Sequence, residues 1–274
     1  MKLSIITINL NHATGLSRTI RSVAEQTWTD YEFIIIDGGS SDGSTGHILE
    51  AGDHVTDWVS EPDRGVFDAM NKGIARSRGQ YLLMLNSGDT LHDPDVLKKV
   101  FADETITEDI LYGNVLRESL GTVIGESTFP KELTFNFFRN GSLSHQAAFI
   151  RRTVHDTAGL YDDTLKYSAD WKLFILAICK HNLTYRHLPE LVAVCNCDGL
   201  TCDPANFPGM RSEMERTLHR HFPVFMADYE KLDSLTAKTW RASLSRYRAR
   251  ARSFARFVIR NGIRETLLQG KHPN

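Results

Sequence analysis

Through the first 115 residues, short apolar runs alternate with longer stretches whose apolar positions recur every three or four residues. The runs Leu3–Ile8, Glu32–Ile36, Thr56–Ser60, Gln80–Leu85 and Ile110–Tyr112 read as strands. Between them, Thr14–Gln26 sets Leu16, Ile20 and Val23 on one helical face. Gly65–Arg78 does the same with Val66, Met70 and Ile74. Asp42–Ala51 and Pro94–Phe101 complete the helices, and Pro94 suits a first turn. This order predicts an α/β fold: a Rossmann-like, mostly parallel central sheet with helices on both faces.

After about residue 128 the alternation weakens. Leu143–Ile150, Leu183–His187 and Leu191–Cys195 read as strands. Ser168–Lys180 reads as a helix with Trp171, Phe174, Ile175 and Ile178 on its apolar side. From Met210 onward the pattern is helical, and the Pro204–Pro208 stretch marks a boundary. The expected organisation is a domain over 1–205, in halves 1–115 and 116–205, and a basic helical extension over 206–274.

Composition narrows the class. At 274 residues the chain makes one large domain, or one domain with an extension. Hydrophobic content of 41% and charged content of 24% fit a soluble globular protein. No run approaches the roughly 18 apolar residues that span a bilayer, and the first apolar stretch reads as a strand, not a signal peptide. Cys179, Cys195, Cys197 and Cys202 are too few for a disulfide framework in so long a chain, which points to a cytoplasmic setting. Cys195, Cys197 and Cys202 lack a fourth ligand at zinc spacing. From Lys238 to Lys271 there are ten Lys or Arg against one acid, Glu265, so the rest of a chain of net charge −2 carries −11. A basic segment on an acidic body points to an anionic partner.

The candidate chemistry lies where strands end. Asn86-Ser87-Gly88-Asp89 follows the apolar run Tyr81–Leu85 and sets a carboxylate at the carboxyl edge of the sheet, where open α/β sheets bind ligands. A divalent ion shared with a diphosphate suits that place; so does a plain turn before the helix at Pro94. Asp37-Gly38-Gly39-Ser40-Ser41-Asp42-Gly43-Ser44 ends the second strand and reads as a ligand loop or a tight turn, with Asp42 capping the next helix. Ser60-Glu61-Pro62-Asp63-Arg64-Gly65 ends the third. Asn71 and Lys72 are polar within the amphipathic helix that follows. Asp37, Asp63 and Asp89 thus stand at three successive strand ends, which favours one shared site. Asn9-Leu10-Asn11-His12-Ala13 after the first strand lacks the glycine fingerprint of dinucleotide enzymes. No phosphate-binding loop with Lys and no Gly-x-Ser-x-Gly elbow occurs.

Together these pieces resemble the inverting glycosyltransferases of family 2, which have the GT-A fold. The resemblance rests on Leu3–Asn11, Ile36–Ser44, Asp63-Arg64-Gly65 with Asn71–Ile74, and Leu85–Asp89, and it covers roughly residues 1–200. The nearest likeness is to bacterial enzymes of exopolysaccharide, colanic-acid-type or O-antigen assembly. It implies a hexosyltransferase-type enzyme that moves a sugar from a nucleotide-sugar donor with inversion. It implies donor contacts from Asn9, Asp37, Asp63, Arg64, Asn71, Lys72, Asn86, Asp89 and His145. It also implies Mn²⁺ or Mg²⁺ on Asp89, which stands at the metal-ligating aspartate of the family's Asp-x-Asp motif. Asn86 stands where that motif begins with Asp, and Gly38 where the family often has a second acid.

The resemblance further puts Asp170, in Tyr167-Ser168-Ala169-Asp170-Trp171, at the general base; Ala169 replaces the usual Glu there. Without it, Asp170 reads as a charge favoured at a helix start. His145, in Ser144-His145-Gln146, falls beside the donor sugar on this likeness and reads as structural without it. Asp198–Thr201 matches a loop that closes over the donor. The implied acceptor is a glycan or a polyprenyl-diphosphate-linked sugar. That would give the arginines and apolar residues of 238–271 an anionic membrane surface to lie on, making the protein peripheral at the inner face. A solvated amphipathic helix is the other reading of that segment. Nucleic acid is not an expected partner, since the body is acidic. The alternatives are a sugar nucleotidyltransferase, which would carry a Gly-rich loop with Arg after the first strand, and a non-catalytic binding protein of the same fold.

Overall fold

The computed structural model describes residues 1–103 and 105–236. The basic segment 238–271 lies outside them. By packing, the chain divides into a unit over Met1–Arg216 and a second from Thr217 onward. In the second unit, residues 223–236 are helical.

The first unit is organised by one fully buried strand, β1 (Leu3–Asn9). It pairs in parallel with β2 (Tyr31–Asp37) on one side and β4 (Tyr81–Met84) on the other. Strand β3 (Asp57–Ser60) adds in parallel to β2. Ile5, Ile6, Ile34, Ile35, Leu82 and Leu83 are all sealed from solvent, as strands covered on both faces require. Register decides where the polar ends fall. Asn9 lies opposite Asp37, and Asp37 opposite Ser60, so three polar strand ends share one edge.

The helices follow the expected alternation. They are α1 (Ala13–Ala24), α2 (Ser44–Ala51), α3 (Val66–Arg76) and α4 (Val96–Val100). Helix α2 begins after Gly43, which takes a left-handed φ of 95°. Asp42 accepts from Ser44 N and Oγ, and also from Ala13 N, so it fastens the starts of two helices. Helix α3 approaches β1 closely at Gly73, where a Cβ would meet Ile6 Cγ2 at 2.3 Å.

Beyond β4 the sheet becomes mixed. The remaining strands are β5 (Thr90–Leu91), β6 (Ile110–Ser119), β7 (Thr122–Ser127), β8 (Ala148–Arg151) and β9 (Tyr185–Asn196). The order is β3-β2-β1-β4-β8-β6-β9-β5, with β7 on β6. Strand β8 runs antiparallel to β4 and β6, while β9 runs parallel to β6. The expected parallel sheet is therefore the first half of a larger one.

Three elements differ from the sequence pattern. The strand expected over Leu143–Ile150 is a one-turn 3₁₀ helix, His145–Ala147, followed by β8. Ala147 N donates to Ser144 O there, which turns the chain before the apolar residues pair. The two strands expected at Leu183–His187 and Leu191–Cys195 are the single β9. Its register against β6 shifts around Gly113, which absorbs Pro189 without ending the ladder. The expected helix over Ser168–Lys180 is α7 (Ala169–Ile175) followed by a π-helical turn over Leu176–Lys180. Helices α5 (Phe135–Asn140), α6 (Thr153–Ala158) and α8 (Phe207–His221) complete the elements.

At the entry to β4, a Cβ on Gly79 would lie 2.4 Å from Ser4 N and 2.5 Å from Leu3 C. Both are main-chain atoms, so no rotamer relieves the clash. Gly79→Ala should lower the unfolding free energy by about 1–3 kcal/mol. Urea denaturation reads this, and an unchanged midpoint would contradict the close packing of β1 against that turn.

Candidate active site

A cleft of about 600 Å³ opens at the carboxyl edge of β1 and β4, the edge at which α/β sheets bind ligands. Of the residues expected from sequence, Asn9, Asp63, Asn86, Asp89, His145 and Asp170 line it. Asp37, Arg64, Asn71 and Lys72 do not, and each has a partner elsewhere.

Asp37 is fully buried beneath Asn9. It accepts from Asn9 Nδ2 at 2.7 Å, Ser40 N at 2.9 Å, Ser40 Oγ at 2.5 Å and Ser60 Oγ at 2.6 Å. Burial alone would raise its pKa, but these bonds outweigh it and hold the group below the usual carboxylate range. Asp37 thus aims Asn9 and closes the loop to Ser40. Arg64 pairs with Asp68 and Asp163. Lys72 pairs with Glu61 and donates to Pro62 O. Asn71 bonds both main-chain groups of Tyr161. Asp63 does reach the cleft. Its Oδ2 lies 2.5 Å from where a Cβ on Gly38 would stand, so the glycine makes room for that carboxylate.

The loop after β4 is held by main chain and by one threonine. Leu85 N donates to Ile6 O and Ser87 N to Ile8 O, which continues the pairing with β1. Thr19 Oγ1 of α1 donates to Asp89 O at 2.7 Å and accepts from Gly88 N at 3.0 Å. Gly88 takes a φ of 99°, and a Cβ there would meet His12 and Asn196 within 3 Å; only glycine suits both demands. The result turns Asp89 inward, 3% exposed. Asn196 N, at the end of β9, donates to its Oδ1 at 2.8 Å. Burial pushes the Asp89 carboxyl up to about 6, against the pull of Asn196 N and of His145. Among the described residues no group of three or more His, Cys, Asp or Glu forms a metal cage. A hard divalent ion that shares one carboxylate with a diphosphate needs no cage, and a buried carboxylate whose partners do not offset its burial fits that use.

Across the cleft, Asp170 sits in the first turn of α7. Its Oδ2 lies 2.9 Å from His145 Nδ1, and His145 Nε2 lies 3.2 Å from Asn86 Nδ2. Burial disfavours the charged imidazole, but the Asp170 bond and charge, with Asp89, outweigh it and raise the His145 pKa. The start of α7 is set by a residue far along the chain. Glu213 of α8 accepts from the main-chain N of Lys166, Tyr167 and Ser168 and from Ser168 Oγ. A buried carboxylate on three successive N–H groups fixes the chain where it enters the helix that carries Asp170.

Sequence reasoning did not single out His12, Gln146, Lys166, Tyr167 or Asn196, which also line the cleft. Gln146 had a signal, as the neighbour of His145. Asn196 is marked only by its place at a strand end before Asp198-Gly199. Asp198–Thr201 line the cleft as well, and Asp198 is tied to Ser119 Oγ and Leu120 N at the β6–β7 turn. The acceptors Asn9 Oδ1 and Asn86 Oδ1 are buried without a hydrogen-bond partner.

Comparison with known proteins places this architecture. The profile described as Glycosyl transferase family 2 matches residues 4–157. A PGL/p-HBAD biosynthesis glycosyltransferase of Mycobacterium bovis is 33% identical over 198 residues, covering 70% of this chain and 76% of that protein. An uncharacterized glycosyltransferase of Mycobacterium tuberculosis is 32% identical over 179 residues, 64% of this chain and 68% of its own. Among solved structures, S. aureus TarS 1-349 in complex with UDP-GlcNAc superposes with a TM-score of 0.63 at 17% identity, over 81% of this chain and 68% of that one. The mannosyltransferase PcManGT of Pyrobaculum calidifontis, in complex with GDP-Man and Mn²⁺, gives 0.56 at 16% identity, over 82% and 64%. The chain belongs to glycosyl transferase family 2 and is a glycosyltransferase with the GT-A fold. Among the described residues no helix is long and apolar enough to cross a membrane.

The raised Asp89 pKa has a definite sign for stability. The native state holds that proton more tightly than the unfolded chain does. The contribution is complete below about pH 4 and is lost as pH rises through about 6. Asp89→Asn keeps an acceptor for Asn196 N and removes the buried charge. In EDTA the variant should gain about 3 kcal/mol over the native protein on going from pH 4 to pH 8. Denaturant unfolding at the two pH values measures this, and an equal difference at both would contradict the burial of the charge.

Proposed function

We propose that the protein moves one sugar from a nucleotide-sugar donor to a hydroxyl of a glycan or polyprenyl-diphosphate-linked acceptor, with inversion, in bacterial surface polysaccharide assembly. The observation that carries this is one cleft with Asp89 on the β4 side and Asp170 on the α7 side. The relatives' names support glycosyl transfer, and two fold neighbours were solved with a sugar nucleotide.

On this reading Asn9 and Asp63 face the nucleoside, with Asp37 supporting Asn9 from below. Arg64, Asn71 and Lys72 brace the rim through their own pairs. The orphaned Oδ1 atoms of Asn9 and Asn86 accept from donor hydroxyls. Asp89 would hold Mn²⁺ or Mg²⁺, which supplies neutralisation of charge on the leaving diphosphate. Asp170 takes the proton of the acceptor hydroxyl. The O–H electron pair forms the new bond to the anomeric carbon. The bond from that carbon to the phosphate oxygen breaks, and its pair leaves with the diphosphate. Attack from the face opposite the leaving group inverts the anomeric centre. The segment 238–271 draws the enzyme to the anionic leaflet that carries a lipid-linked acceptor.

Asp89→Asn and Asp170→Asn should each abolish transfer while the far-ultraviolet circular dichroism stays native. Retained turnover in either would refute the roles assigned. A thermal-shift panel of UDP-, GDP- and dTDP-sugars should show stabilisation that depends on Mn²⁺ for at least one donor. With that donor, Mn²⁺ affinity should rise about tenfold per pH unit up to about pH 6 and level off above it, as the Asp89 proton is displaced. A flat profile from pH 5 to 7 would remove Asp89 from the metal site.

A further inference from the structure

We propose that His145 is a positioning residue for Asp170, and that Asn86 holds His145 in the tautomer this task requires. The inference rests on the proton-accepting role of Asp170 given above.

With the Asn86 amide oriented as it stands, each bond of the hydrogen-bond chain has a direction. Asn86 Nδ2 lies 3.2 Å from His145 Nε2. An amide nitrogen has only hydrogens to offer, so Nε2 accepts and the ring proton stands on Nδ1. Nδ1–H then donates to Asp170 Oδ2 at 2.9 Å. That bond occupies one carboxylate oxygen and leaves Oδ1 with its lone pairs free for an incoming hydroxyl. Without the bond, a carboxylate in the first turn of α7 would turn toward the free N–H groups of its own helix. Lys172, on the same helix, pairs with Asp162 and does not compete.

The ring itself is held on a turn. His145 opens the 3₁₀ turn that Ala147 N closes on Ser144 O, and Ala147 is fully buried. The charged groups that act on His145 are Asp170 and Asp89. An aspartate at position 86 would add a third. It would demand a proton on Nε2 and make the ring an imidazolium between two carboxylates. The charge-assisted bond would then grip Asp170 and weaken it as a base. Asn86, the departure from the family's Asp-x-Asp motif, thus serves the proton-transfer end of the cleft.

The test uses the full-length enzyme, Mn²⁺ and the sugar nucleotide that stabilises it most in the panel above. His145→Ala should lower kcat about 10- to 100-fold, while the Kd of that sugar nucleotide by calorimetry stays within about twofold. His145→Asn, whose amide can donate from near the Nδ1 position, should recover most of the loss. Asn86→Asp should lower kcat and restore none of it at any Mn²⁺ concentration. A weakened donor Kd with unchanged kcat in His145→Ala would make the ring a donor ligand and overturn the proposal. So would His145→Asn no faster than His145→Ala, or Asn86→Asp as active as the native enzyme. Asp170→Asn separates the two levels. If it still transfers sugar, the base assignment fails. If it is inactive while His145→Ala keeps native kcat, only the positioning role fails.

Discussion

A single carboxylate, Asp89, is turned into the protein, and the hydrogen bonds and charge of its neighbours do not offset its burial. Thr19 pins the main chain on either side of the Gly88–Asp89 peptide, and Asn196 N supplies one hydrogen bond. Burying a charge is costly, and the raised pKa of the group shows that Asn196, Gln146, Asn86 and His145 together do not cover that cost. A cation shared with a diphosphate would relieve that cost. The loop that creates the strain also fixes the cleft floor, since Asn86 and Asp89 share it.

The apolar platform and the polar rim have one origin. Strands β1, β2 and β4 are buried along their length: inside them Ser4, Thr7 and Glu32 are admitted with hydrogen-bond partners of their own, and Asn9 and Asp37 stand where the strands end. Parallel pairing then gathers those ends on one edge. Asp37 shows the division of labour: it never touches the cleft, but its four hydrogen bonds set Asn9, which does. Glu213 does the same for Asp170 by holding residues 166–168, which lead into α7, from a distant helix. The two ends of the proposed reaction are thus supported by separate buried carboxylates that do not line the cleft.

How much of this was legible in the sequence follows from contact range. The first half was readable because Leu3–Ile8, Glu32–Ile36 and Gln80–Leu85 are short buried strands joined through amphipathic helices. The second half was not. A 3₁₀ turn at His145–Ala147 and a bulged strand running through Pro189 leave no periodic trace. Carboxylates at strand ends announced themselves, and Asp63 and Asp89 do line the cleft. Arg64, Asn71 and Lys72 sit within the matched motifs, but local partners hold them away from it. His12, Asn196 and Glu213 were invisible because their meaning lies in contacts with residues far off in the chain. Asn196 reaches Asp89, and Glu213 reaches Ser168. No pattern within a window carries such pairs.

A crystal structure of the enzyme with Mn²⁺ and its sugar nucleotide tests the central claim most directly. The account predicts anomalous density for the cation on the Asp89 carboxylate. It also predicts that Asp170 Oδ1 faces the anomeric carbon from the side away from the diphosphate. A cation bound elsewhere, or Asp170 on the same side as the leaving group, would contradict it.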